Sequence, residues 1–177
     1  MSRIGKKIIQ VPSKVDVSIE GREIKVNGPK GQLSFVIMKD ISVSLKENLL
    51  SVGILNNSKK ARSAWGMSRT MISNLFQGVT EGYERKLEIN GVGCKASMDD
   101  GNLKISLGFS HDVIYPPMEG ISIFATKPVE VLISGIDNQK VGQTASEIRS
   151  YFRAEPYKGK GIKYSDEIIV HKEGKKK

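Results

Sequence analysis

The sequence predicts an α+β protein of two duplicated domains, each an antiparallel β-sheet with one main helix packed on it. Three observations lead there. Apolar and polar residues alternate through much of the chain, as in strands that bury one face. The period lengthens to three and four residues at 61–79 and again at 141–152, as in helices with one apolar stripe. The halves also match at a shift of 80 residues. Gly28 falls on Gly108, Ile41-Ser42-Val43 on Ile121-Ser122-Ile123, and Arg69 on Arg149, which places like residues in a turn, a strand and a helix.

The elements follow in order. Val15, Val17 and Ile19 form a strand, Gly21 turns the chain, and Ile24 and Val26 return. Asn27-Gly28-Pro29-Lys30-Gly31 breaks the pattern. Strands over 33–37, 41–45 and 49–55 follow, with Glu47-Asn48 as a turn. Ala61, Ala64, Trp65, Ser68, Ile72, Leu75, Phe76 and Val79 then share one helical face, with Ser58 as N-cap and Gly78 as the stop. The second half opens a strand at Leu87 and Ile89 and turns at Asp100-Gly101. It alternates through Leu103, Ile105 and Leu107 and runs strands over 121–125 and 129–133. Val141, Ala145, Ile148 and Phe152 form the second helical stripe, with Asp137 or Asn138 as N-cap and Pro156 as the stop. The expected domains are 1–81, with a basic N-terminal arm, and 82–177, with a basic loop and tail.

Composition narrows the partners. Lys plus Arg number 28 against 19 acids, a net charge of +9 that favours a polyanion, either nucleic acid or an acidic membrane. No apolar run approaches a membrane span, and Pro12 and Ser13 end the short Ile8-Ile9 patch, so neither a membrane anchor nor a signal peptide is expected. Cys94 is the one cysteine, which rules out an internal disulfide and suits a reducing compartment.

The charge is clustered. Arg3, Lys6 and Lys7 occupy an arm free of acids, and Lys59, Lys60, Arg62 and Arg69 lie in a helix with no acid before Glu81. The last cluster runs from Arg153 through Lys158, Lys160 and Lys163 to Lys175, Lys176 and Lys177. Cations that neutralise phosphates release condensed counterions, so such clusters bind RNA in a salt-dependent way. The stretch 155–164 is the most specific. Gly159 and Gly161 let the backbone approach a phosphate, Lys158, Lys160 and Lys163 bring charge on flexible stems, and Tyr157 and Tyr164 can stack or anchor.

Catalytic signals fail on context. Gly91-Val92-Gly93-Cys94 imitates a dinucleotide fingerprint, but Asp100-Gly101 turns the chain where a helix is required. The Gly-Lys pairs at Gly5, Gly159 and Gly174 lack the Ser or Thr of a P-loop. A thiol enzyme using Cys94 and His111 is the weaker rival to a binding protein, since a lone cysteine among alternating apolar residues is usually core. His111, His171 and Cys94 are too few for a zinc site. Neither metal nor cofactor is expected.

These residues resemble the family of the bacterial-type large-subunit ribosomal protein six. The resemblance rests on Ser2-Arg3-Ile4-Gly5-Lys6, Gly28-Pro29-Lys30-Gly31, Gly78-Val79-Thr80-Glu81-Gly82-Tyr83, Gly91-Val92-Gly93, Leu107-Gly108-Phe109-Ser110-His111, Val141-Gly142-Gln143 and, most specifically, the segment 155–164. It implies a non-catalytic protein of the cytoplasmic ribosome (an organellar ribosome fits too) that binds large-subunit, 23S-type rRNA. It further implies a place near the stalk base and the translation-factor region, beside neighbouring ribosomal proteins, with no small-molecule substrate. By motif it gives RNA contacts to Arg149, Lys158, Gly159, Lys160, Gly161 and Lys163. Two positions depart from the family pattern: Ala154 replaces a usual proline, and Phe152 a frequent arginine, so a basic group is missing there or its role passes to Arg153.

Overall fold

The computed structural model describes residues 2–175. Lys176 and Lys177, named above among the tail cations, lie outside the described residues. The chain divides into two compact units after Gly82.

The first unit contains β1 (Ile9–Gln10), β2 (Asp16–Glu20), β3 (Glu23–Gly28), β4 (Gly31–Val36), β5 (Ile41–Lys46), β6 (Leu49–Ile54) and α1 (Lys59–Thr80). Its strands form two antiparallel three-stranded sheets, β2-β3-β4 and β1-β6-β5. The tight turn between β5 and β6 places Glu47 and Asn48 both at positive φ, the geometry whose twist matches paired strands. Every apolar position of the helical stripe, from Ala61 to Val79, is buried, and α1 packs on β3, β4, β5 and β6. Trp65 is held in the core with its indole N–H donating to the Val52 carbonyl at 2.6 Å.

Ser58 caps α1 by accepting from the Ala61 N–H at 3.1 Å. Gly78 does not end the helix, contrary to the expectation. It is buried inside α1, because Phe76 and Val79 continue the stripe around it. The chain turns at Gly82, whose φ of +77° is left-handed and whose N–H, with that of Glu81, donates to the Gln77 carbonyl.

The second unit contains β7 (Tyr83–Asn90), β8 (Lys95–Asp99), β9 (Asn102–Ser106), β10 (Val113–Tyr115), β11 (Ile121–Lys127), β12 (Glu130–Gly135), α2 (Asn138–Tyr151) and β13 (Gly161–Tyr164). Its sheets are β10-β9-β8 and β11-β12-β7-β13. Strand for strand this repeats the first unit: β8-β9-β10 matches β2-β3-β4, and β7-β12-β11 matches β1-β6-β5. The antiparallel strands expected in each half therefore fall into two sheets rather than one. β13 is the addition, pairing with the outer side of β7 from Gly161–Asn90 to Tyr164–Leu87.

Asp137 caps α2, accepting from the Gln139 N–H at 2.9 Å. The helix ends at Tyr151, well before Pro156, so the proline is not the stop. The chain leaves because β13 competes for it. The Phe152 carbonyl accepts from the Ile162 N–H at 2.7 Å, and Arg153 bridges to Ile162. Phe152 lies just past the helix as its C-cap, half-buried but still packed against the core that Val141, Ala145 and Ile148 enter, and its ring meets Phe109 edge-on at 5.8 Å.

Candidate nucleic-acid interface

The segment between α2 and β13 is a closed loop. The Glu155 N–H donates to the Lys160 carbonyl at 2.9 Å and the Gly159 N–H to the Glu155 carbonyl at 3.1 Å. Geometry favours glycine at both positions, and more strongly at the second. Gly159 has a φ of +67°, and Gly161, at +133°, lies so close to the departing chain that a Cβ there would sit 2.6 Å from the Ala154 Cα. Ala154 is thus the backbone neighbour of Gly161. The closure presents Lys158 and Arg153 to solvent, and Tyr157 is 57% exposed. Lys160 is half-buried. Its ammonium stands 5.7 Å from the centre of the Phe152 ring and its stem lies against Gly91.

Behind the loop runs the segment 165–172, a turn at 165–166 followed by irregular chain. Its Lys172 N–H donates to the Pro156 carbonyl at 2.9 Å, and the His171 Nδ1 lies 3.4 Å from the Tyr157 carbonyl oxygen. Between loop and segment opens a cleft of about 440 Å³ lined by Asn90, Lys158, Lys163, Ser165, Glu167 and His171, among others. Lys163, on β13, pairs with Glu88 of β7 at 3.1 Å. Arg149, on the last turn of α2, grips Glu167 with two hydrogen bonds, Nε to Oε2 at 2.9 Å and Nη2 to Oε1 at 2.5 Å. Its guanidinium also lies 5.4 Å from the centre of the Tyr164 ring. The Arg149 hydrogen bonds hold the Glu167 carboxyl below its ordinary range, and the same bonds raise the arginine further.

The structure therefore sorts the expected contacts of the second unit. Arg153, Tyr157, Lys158 and Lys175 face solvent, while Gly159 and Gly161 shape the backbone. Lys160 is steered by Phe152, and Lys163 and Arg149 already have acidic partners. Those partners, Glu88 and Glu167, escaped sequence reasoning, as did His171 as a neighbour of the loop. From the sequence Asp166-Glu167 is a pair of carboxylates in a turn or tail, and nothing in the local pattern links Glu167 to a helix residue 18 positions earlier.

In the first unit Arg3, Lys6 and Lys7 are exposed on the arm. The arm is fixed by Gly5, whose missing side chain lets it lie on the Trp65 ring, where a Cβ would come within 2.5 Å. The Arg69 Nε donates to the Lys7 carbonyl at 3.4 Å, joining arm to helix. Lys59, Lys60 and Arg62 are exposed in the first turn of α1, which carries no acid. Cations there oppose the helix dipole, at about 0.3–1 kcal/mol each. Folding stability alone does not favour this placement, whereas a polyanionic partner does. The double substitution Lys59→Glu/Lys60→Glu is therefore expected to raise the melting temperature while weakening RNA binding. Thermal melts and RNA titrations on the same variant check the two opposed effects.

Cys94 is buried in the core of its unit, whereas His111 is exposed in the turn between β9 and β10. The strand β8, not a helix, follows Gly91-Val92-Gly93. Among the described residues no group of three or more His, Cys, Asp or Glu can hold a metal ion, and no helix is long and apolar enough to cross a membrane.

Comparison with known proteins agrees with the duplicated plan. The profile of the family described as "Ribosomal protein L6" matches residues 11–82 and again 90–165, one match in each unit. Proteins named "Large ribosomal subunit protein uL6" align over all 177 residues and over their own full lengths. Identity is 58% for the one from Allorhizobium ampelinum and 59% for those from Rhizobium etli and Sinorhizobium fredii. The family is one of structural, non-enzymatic proteins. With both halves matched by the profile and full-length relatives at this identity, the chain belongs to the ribosomal protein L6 family.

Proposed function

We propose that this chain is a structural constituent of the large subunit of the cytoplasmic ribosome and that it binds 23S-type rRNA, near the stalk base and the translation-factor region, among neighbouring ribosomal proteins. The full-length likeness to proteins named for the large subunit supports the first part. The observation that carries RNA binding is the closed loop 155–160. Gly159 and Gly161 hold its backbone, Lys158 is exposed on it and Lys160 half-buried, and with Arg153 they outnumber the loop's own acid, Glu155, while the nearby Glu88 and Glu167 are each engaged by a cation. The net field at the loop is thereby left positive toward a phosphate backbone.

Arg153, Tyr157, Lys158, Lys160 and Lys163 form the main contact, with Lys175, Lys176 and Lys177 extending it. Arg3, Lys6, Lys7, Lys59, Lys60, Arg62 and Arg69 form a second basic surface on the other unit. The RNA is read by shape and backbone, as expected for A-form helices whose major groove is too narrow for side chains. The test is co-sedimentation with the large subunit through a salt wash, followed by footprinting of the purified protein on 23S-type rRNA. Retention and a discrete protected region are expected. Loss in the wash would instead indicate a nucleic-acid-binding protein that acts outside the ribosome.

A further inference from the structure

We infer that Glu167 is a positioning residue for RNA binding: clamped by Arg149, it anchors the 165–172 segment that sets the lysine loop. This rests on the reading of the loop as an RNA contact, and it gives Arg149 a different role from that of a phosphate ligand.

The segment's other side-chain holds are weak. Ile168 and Val170 are 90% and 78% exposed and only Ile169 of its aliphatic residues is half-buried, while Asp166 meets Arg85 at 3.8 Å as an exposed surface pair that contributes little. Near its start, Ser165 N–H donates to the Lys86 carbonyl at 3.1 Å and the Glu167 N–H to the Tyr164 carbonyl at 3.1 Å. The tightest side-chain anchor is Glu167, whose partner Arg149 is closer and more buried than the Arg85 that meets Asp166. One of its oxygens receives Arg149 Nη2, and the other receives both Arg149 Nε and the Tyr164 N–H, the latter at 3.2 Å. The pair ties the end of α2 to the end of β13. The guanidinium is oriented further by the Tyr164 ring. Arginine suits this place, because its planar fork meets both carboxylate oxygens at once and a lysine cannot.

From that anchor the segment reaches the loop. Lys172 bonds the Pro156 carbonyl, His171 stands beside the Tyr157 carbonyl, and its Cε1 lies 3.1 Å from where a Gly159 side chain would begin. The segment thus forms the back wall of the cleft that Lys158 and Lys163 share. Holding that wall in place before RNA arrives removes an ordering cost from binding.

The sign of one substitution separates this role from a simple electrostatic one. Removing a carboxylate beside a polyanion site strengthens binding if the charge acts only through its field. If Glu167 positions the loop, Glu167→Gln instead weakens binding to a 23S-type rRNA transcript by roughly tenfold, the scale of one charge-assisted hydrogen-bonded pair. The slope of log affinity against log salt stays unchanged, because every loop cation remains. Exchange of the Lys172 and Gly159 amide protons speeds up in the free protein. Arg149→Lys, which keeps the charge and loses the fork, gives the same pattern, and thermal melts establish that both variants are folded. Binding as tight as or tighter than the parent's in Glu167→Gln overturns the inference. So does any change in salt slope, which would make Arg149 a phosphate ligand in its own right. Lys158→Ala/Lys160→Ala run in parallel isolates the underlying reading. If that variant binds normally, the loop is not the RNA contact, whatever Glu167 does.

Discussion

Replacing Lys158 and Lys160 together by alanine is expected to weaken binding to 23S-type rRNA by about a hundredfold, at roughly one order of magnitude per charge-assisted phosphate contact. The slope of log affinity against log salt should flatten by up to about 0.9 for each phosphate that is no longer neutralised, taking the B-DNA value as the limit. The two lysines need not contribute equally. Lys158 is exposed, so it is free to meet a phosphate but unordered before binding. Lys160 is half-buried, with its stem against Gly91 and its ammonium over Phe152, so less side-chain entropy remains for it to lose. Adding Lys163→Ala should matter less than either. Lys163 already pairs with Glu88 at 3.1 Å, and a phosphate must compete with that carboxylate. Filter binding at four or more salt concentrations reads affinity and slope together. A hundredfold loss with no change in slope would show that the loop folds poorly without its lysines rather than that it touches phosphate.

This ordering of the lysines could not be read from the sequence, whereas much of the fold could. The stripe from Ala61 to Val79 was legible because helical periodicity is local, and all its members are buried. Ser58 and Asp137 were legible as caps for the same reason: each satisfies an amide two or three residues on. The short strands β1, β10 and β13 were not. Ile9–Gln10 gains strand geometry only from Leu49 and Leu50, and Gly161–Tyr164 only from residues 87–90. Such pairing depends on partners far along the chain, and in β13 glycine and lysine mask the apolar alternation. Gly78 and Gly82 show the same limit in miniature, since each glycine offers a stop and packing of Val79 decides between them. At the site, composition and spacing singled out Lys158 to Lys163 as cationic. The acids that engage two of the expected contacts, Glu88 and Glu167, are set by tertiary structure alone.

Gly161→Ala is expected to have the largest effect on the fold of any single methyl added to the loop. Two costs fall together there. The φ of +133° lies in a region that side chains with a Cβ rarely adopt. The added carbon would also meet backbone, at 2.6 Å from the Ala154 Cα and 2.7 Å from both the Ala154 nitrogen and the Arg153 carbonyl carbon. Backbone cannot swing aside as a side-chain tip can. Relief requires either the chain leaving α2 to shift, which breaks the Phe152–Ile162 hydrogen bond, or β13 to slip on β7. The second unit should lose roughly 3 kcal/mol or more, the range in which strain and a broken buried interaction combine. Gly159→Ala provides the contrast. Its φ of +67° is the milder left-handed region, and its new carbon would meet only the His171 ring, at 3.1 Å. A loss of about 1 kcal/mol is expected there. Chemical denaturation of both variants, with a probe in each unit, reads the difference. Equal losses would mean that the close approach to residues 153–154 does not fix the loop. A large loss confined to Gly161→Ala would make that close backbone approach the hinge on which the lysines are hung.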